Sequence, residues 1–207
     1  MKTTIYSSIA CLLLAFFITN GYSQGFRPGD VATGFSLKDA RNDKMVSLNN
    51  YSKEKGVIVI FTCNHCPYAK KYEKRIIALN KTFSSKGFPV VAISPNDPSI
   101  VPEDSFTEMK KLAKSKKYSF PYLFDETQDI AKTYGATKTP HVFLLSNSNG
   151  TFTVEFIGAI DDNANDETAV TTKYVEQAIG EIMVGKPVTT QEAKAIGCSI
   201  KWKKANG

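Results

Sequence analysis

Apolar residues follow two rhythms along this chain. Val57, Ile58, Val59, Ile60 and Phe61 form an unbroken β-branched and aromatic run, the pattern of a strand buried on both faces. Behind it Tyr68, Ala69, Tyr72, Ile76, Leu79 and Phe83 recur every three or four positions and predict an amphipathic helix. A second apolar strand is predicted over 88–93. Strand, helix, strand at this spacing implies a parallel pair with a helical crossover. Before this unit, 35–37 and 45–48 alternate apolar and polar around the turn residues 41–44 and predict a hairpin. After it, 96–104 with Pro98 and Pro102 reads as a loop, and Ser105 to Glu108 as a capping box opening a Lys-rich helix. Phe120 to Phe124 predicts a short strand, Asp125 to Gln128 a second helix cap, and Gly135 the stop of that helix. His141 to Leu145 and Thr151 to Ile157 predict two strands joined at the turn 147–150. Val170, Tyr174, Ala178 and Ile182 predict a last helix closed by Gly185.

A chain of 207 residues that is 42% hydrophobic and 22% charged can bury an ordinary core, which excludes disordered, collagen-like and disulfide-scaffold classes. The first stretch differs from the rest. Lys2 precedes a charge-free apolar run ending near Gly21, Tyr22 and Ser23, too short to span a bilayer comfortably and bounded as a secretory signal is. Residues 1–23 are therefore expected to be a signal peptide, 24–185 the folded domain and 186–207 a C-terminal tail packed on it. Cys11 lies near the start of the apolar run, so it is not a lipid-attachment cysteine. The expected location is extracytoplasmic, with no stable membrane insertion once the signal is removed. The net charge of +6 says little about partners. The lysines at 110, 111, 114, 116 and 117 read as the wet side of a helix whose apolar face is Phe106, Met109 and Ala113. Nucleic acid is not an expected partner, because no aromatic stacking pattern accompanies the charge.

The chemistry sits in Cys63, Asn64, His65, Cys66 and Pro67, where the buried strand passes into the helix. A helix N-terminus stabilises a thiolate, and the thiolate is the species that attacks a disulfide. The two-residue gap lets Cys66 resolve a mixed disulfide formed on Cys63. Cys63 is thus the expected nucleophile and Cys66 the resolving thiol, with His65 between them stabilising the thiolate further. Structural zinc would need four ligands, and one Cys pair does not supply them. A static Cys63–Cys66 bond would close too small a loop to stabilise much. Cys198 is read chiefly as a small buried residue holding the tail, with an additional resolving or partner-linking role as the other reading. The acidic stretch 161–166 lacks the glycine and the bidentate Glu of a calcium loop and reads as a turn and helix cap.

The chain resembles the thioredoxin-like superfamily and, within it, the peroxiredoxin-like AhpC/TSA branch. The resemblance runs from about Gly29 to Trp202 and rests on Gly29-Asp30 with Phe35-Ser36-Leu37, on FTCNHCPYAKKYE from Phe61, on FPYLFDETQDIAKTYGA from Phe120, and on TPHVFLL from Thr139. It implies a central mixed β-sheet flanked by helices, with an N-terminal hairpin and a helical insertion. It also implies a cis Thr139-Pro140 bond facing the cysteines, offering Thr139, Pro140 and, beside the pair, Asn64 to a substrate. His141 would then lie near the site, although it reads as a half-exposed strand residue. A copper site on Cys63, Cys66 and His141 is a further alternative, since some exported relatives bind that soft metal. Otherwise no cofactor or metal is expected. Peroxiredoxins carry a Thr or Ser three residues before the peroxidatic cysteine and a late-strand arginine. Here those positions are Ile60 and Cys63, and the arginines are Arg27, Arg41 and Arg75. The expected activity is therefore thiol-disulfide oxidoreduction with protein disulfides or dithiols and an unidentified electron donor or acceptor. Thiol peroxidase and copper-binding module are the alternatives.

Overall fold

The computed structural model describes residues 25–204, so the expected signal segment lies outside the described residues. β1 (Ser36–Asp39) and β2 (Met45–Ser47) form the N-terminal hairpin. β3 (Gly56–Phe61), α1 (Pro67–Phe83) and β4 (Val90–Ser94) form the crossover unit, and the two strands pair in parallel. α2 (Phe106–Ser115), β5 (Tyr122–Phe124) and α3 (Asp129–Tyr134) follow. β6 (Lys138–Thr139), β7 (His141–Ser148), β8 (Thr151–Gly158), α4 (Tyr174–Met183) and β9 (Cys198–Ser199) complete the order. Seven strands make one mixed sheet in the order β2-β1-β5-β4-β3-β7-β8, and β6 and β9 make a separate two-stranded sheet.

The unbroken apolar run of β3 follows from its central place in the sheet. Successive side chains point to opposite faces. Ile58 and Ile60 pack with Tyr72, Ile76 and Leu79 of α1 and with Val175 and Ile179 of α4. Val57, Val59 and Phe61 pack on the other face with Ala131 and Tyr134 of α3. A polar residue on either side of β3 would open a core, and the sequence contains none there.

Three local expectations are corrected. Ser105 occupies the N-cap of α2, but its side chain makes no capping bond. The cap of α3 is Gln128, held in the left-handed region at φ 65°, while Asp125 accepts from the backbone N–H of Ala131 at 2.8 Å. α4 begins at Tyr174, because 167–169 is a separate 3-10 turn capped by Asp166 on Thr168, so Val170 precedes the helix. The predicted turn between β7 and β8 forms with Asn149 at φ 53° and Gly150 at φ 88°, which Asn and Gly tolerate best.

The chain after α4 returns across the domain. It runs beside β8, where Ile157 donates to Gln191 O (2.9 Å) and Ala193 donates to Ile157 O (3.0 Å). Strand β9 then pairs antiparallel with β6, placing Thr139 opposite Cys198. Gly197 permits that approach: a Cβ there would stand 2.3 Å from the Thr139 carbonyl oxygen. Beyond the strand, Lys201 N donates to Asn96 Oδ1 (2.9 Å), and buried Gln128 donates to Lys201 O (2.8 Å) while accepting from Lys203 N (2.7 Å). No described helix is long and apolar enough to cross a membrane.

Candidate active site

Strand β3 ends at Phe61, and Thr62 to His65 form the link to α1, whose N-cap is Cys66 and whose first helical residue is Pro67. Proline suits that position because its missing N–H has no helical partner there. The link carries Cys63 to the end of a cleft of about 300 Å³ lined by Ile76, Leu112, Phe120 and Tyr122, with Lys70 and Glu73 at polar positions. Both cysteines of the motif are buried, Cys63 at 5% exposure and Cys66 at 0%.

The pairing of sulfurs also departs from expectation. Cys66 is joined by a disulfide to Cys198, and Cys63 is the free thiol. Cys198 therefore serves as a covalent partner to the motif rather than as a merely buried residue. The residue that links the three is Thr139. Its hydroxyl lies 3.3 Å from Cys63 Sγ, its carbonyl oxygen 3.2 Å from Cys66 Sγ, and its backbone is in register with Cys198. The Thr139-Pro140 bond is cis. An extended segment already lies along this residue, since β9 pairs with it.

Asp104 was not singled out by the sequence, where it reads as part of a loop. It is fully buried, at the end of the 3-10 turn 102–104, and four donors converge on it. They are Asn64 N (2.7 Å) and His65 N (3.0 Å) from the cysteine link, Asn96 Nδ2 (2.8 Å), and the His65 ring, whose Nδ1 stands 2.5 Å from the carboxylate. The same Nδ1 is 3.6 Å from Cys63 Sγ. His65 is thus committed to Asp104 more than to the thiol. Asn64 is also engaged, its side-chain amide donating to Glu103 O (2.7 Å) and its side-chain carbonyl accepting from Tyr122 OH (2.8 Å).

The thiolate expectation is corrected in sign. Burial pushes the Cys63 thiol up to about 11, and the neighbouring Asp104 charge pushes the same way. The Thr139 hydroxyl and the backbone N–H groups of Cys66 and His65 pull it down, but less. Removing the carboxylate charge should therefore favour the thiolate. Asp104→Asn is expected to lower the midpoint of the Cys63 alkylation profile and to raise the alkylation rate at pH 8 by about an order of magnitude. An unchanged or higher midpoint would show that Asp104 does not set the thiol.

His141 is buried rather than half-exposed, beside Phe143, and its Nδ1 accepts from Thr137 N at 3.3 Å. Burial lowers its pKa to about 4, so the ring is neutral at ordinary pH. The copper set of Cys63, Cys66 and His141 does not assemble. Among the described residues, the donors that converge are Cys63, His65 and Asp104, within 4.8 Å of one another, and Cys66 is bonded to Cys198. Two of the arginines are engaged elsewhere: Arg41 pairs with Asp39 and Arg75 with Asp161.

A parallel β3-α1-β4 unit, a cysteine pair at the start of its helix and a cis proline opposite define a thioredoxin-like protein. Residues 28–160 match the AhpC/TSA family, and the chain belongs to that family. An uncharacterized conserved protein from Geobacillus kaustophilus superposes at a TM-score of 0.80 with 34% identity, covering 90% of this chain and 95% of that one. A hypothetical protein from Sinorhizobium meliloti superposes at 0.79 with 30% identity, covering 87% and 97%. The thiol-disulfide oxidoreductase ResA of Bacillus thuringiensis subsp. konkukian is 26% identical over 140 residues, 66% of this chain and 76% of that protein.

Proposed function

We propose that the protein is an exported thiol-disulfide oxidoreductase whose nucleophile is Cys63 and whose substrates are protein disulfides. The observation that carries this reading is the free Cys63 thiol at the end of an open cleft, beside a cis-proline strand and next to a cysteine already held in a disulfide. The likeness to ResA supports the reaction class, and the charge-free apolar segment after Lys2 supports export. The cycle starts once a donor dithiol has reduced the Cys66–Cys198 bond, itself becoming a disulfide; the Cys63 thiolate then attacks one substrate sulfur, the substrate's second sulfur leaves as a thiolate, and a mixed disulfide remains on Cys63. The Cys66 thiolate then attacks Cys63 Sγ, releasing the substrate as a dithiol and leaving the Cys63–Cys66 bond. The raised Cys63 pKa fits this direction. A thiol whose thiolate is disfavoured gives up electrons more readily than one whose reduced form is stabilised. His65 and Asn64 act here as residues that hold the link on Asp104, and Thr139 as the residue that contacts the Cys63 and Cys66 sulfurs and pairs through its backbone with Cys198.

The experiment is capture. With Cys66 and Cys198 both replaced by Ser, Cys63 is expected to accumulate a stable adduct with a disulfide-bonded protein, seen as a reductant-sensitive band and mapped to Cys63. Absence of any adduct with a panel of disulfide proteins would remove the proposal.

A further inference from the structure

We infer that Cys198 is a third redox cysteine, and that the Cys66–Cys198 disulfide is the resting product of a relay in which oxidation passes from Cys63 through Cys66 to the tail. The inference rests on the reading of Cys63 as nucleophile and extends it to where the disulfide goes next.

The three cysteines gather around one residue. Cys63 and Cys66 belong to one small buried cluster, with Cys198 packed against it, and Thr139 touches or pairs with each of them. Cys66, the middle sulfur, is wholly inaccessible, whereas Cys63 opens on the cleft and Cys198 is only half-buried on the other side. A buried sulfur with a reachable cysteine on either side exchanges electrons through its neighbours or not at all. The tail does not need the disulfide to stay in place. The bonds of 191–193 to Ile157 before it, the pairing of Ser199 with Lys138, and the bonds of Lys201 and Lys203 to Asn96 and Gln128 after it hold the segment without any covalent link. When the bond opens, Cys198 therefore remains opposite Thr139, within reach of Cys66.

The relay step is balanced within the chain. After substrate reduction leaves Cys63–Cys66, the Cys198 thiolate attacks Cys66 Sγ. The Cys66–Cys198 bond forms, the Cys63–Cys66 bond breaks, and Cys63 leaves as a thiolate that takes up the proton Cys198 gave. No electron enters or leaves. The step moves the disulfide from the cleft to the half-exposed tail and restores the Cys63 thiol. A donor dithiol can then reduce the protein at Cys198 without entering the substrate cleft.

Tryptic digestion separates the two bonds. Cys63 and Cys66 share the peptide 56–70, and Cys198 lies in 195–201, so Cys63–Cys66 is an internal bond and Cys66–Cys198 a cross-link. Fully reduced protein is mixed with one equivalent of glutathione disulfide, quenched with acid at intervals, alkylated and mapped. The expected course is the internal bond first, followed by the cross-link with Cys63 alkylated. Cys63→Ser should slow appearance of the cross-link at least tenfold, and Cys198→Ser should stop at the internal bond. A cross-link that forms equally fast in Cys63→Ser would overturn the relay and make the bond a static staple. An internal bond that never forms in Cys198→Ser would instead remove the underlying reading of the Cys63–Cys66 pair.

Discussion

Cys63→Ser is expected to reduce the turnover of a disulfide-bonded protein substrate by at least about three orders of magnitude, the scale on which removal of a nucleophile acts. Among the described cysteines it is the one not engaged in a bond, and it is the one that lines the cleft. Cys66 cannot substitute for it, being fully buried under the cis-proline strand. A hydroxyl at position 63 would preserve the contact to Thr139 while losing the sulfur chemistry, so the fold should survive. Coupled thiol-release kinetics check the rate, and a thermal melt within a few degrees of wild type checks the fold. Residual turnover within tenfold of wild type would place the nucleophile elsewhere.

The second large effect concerns stability and lies away from the cysteines. Asp161, just after β8, accepts two contacts from Arg75 Nη1 of α1 (2.7 and 2.6 Å) and one from Tyr72 OH (3.0 Å). The same Arg75 nitrogen donates to Asn163 O at 2.7 Å, and the guanidinium lies over the Tyr72 ring at 4.2 Å. Arg75 is 8% exposed and Asp161 3%, so neither charge has water to fall back on. Asp161→Ala leaves the guanidinium buried without its counter-charge, which costs about 3–5 kcal/mol. For a domain of this size that corresponds to a fall of roughly 10 °C in Tm. Urea unfolding measures the free energy directly, and a loss below about 1 kcal/mol would show that water reaches the site. Replacing both residues with apolar ones of similar volume is expected to recover most of the loss.

These two sites mark where the sequence is readable and where it is not. The β3 run and the α1 periodicity were legible because burial on both faces, or on one stripe, leaves a local rhythm. The turn at Asn149-Gly150 and the stop at Gly135 were legible because their backbone conformations select those residues. The cysteine motif announced itself by its place between a strand and a helix. What failed to show was long-range pairing. Asp104 meets His65 across 39 residues and Asp161 meets Arg75 across 86, and neither separation leaves a local trace. The acidic stretch beginning at Asp161 was readable as a turn and cap, which Asp166 fulfils, while its first carboxylate belongs to the core. Cys66–Cys198 spans 132 residues, and its formation depends on Gly197 letting β9 approach Thr139, a steric fact visible only once both strands are placed. The sign of the Cys63 shift was missed for the same reason. The local helix N-terminus favours the thiolate, but burial and a carboxylate from a distant loop outweigh it.

The central claim is that Cys63 exchanges with disulfides rather than with peroxide. Membership of the AhpC/TSA family leaves both reactions in view, while the departures at Ile60, the engagement of Arg41 and Arg75 by Asp39 and Asp161, and the raised thiol all weigh against peroxide. The deciding measurement is the rate at which fully reduced protein loses its Cys63 thiol to a disulfide-bonded protein and, separately, to hydrogen peroxide at the same concentration. Faster loss to the disulfide is the predicted result. Faster loss to peroxide would contradict it and make the site a thiol peroxidase that works without the expected threonine and arginine.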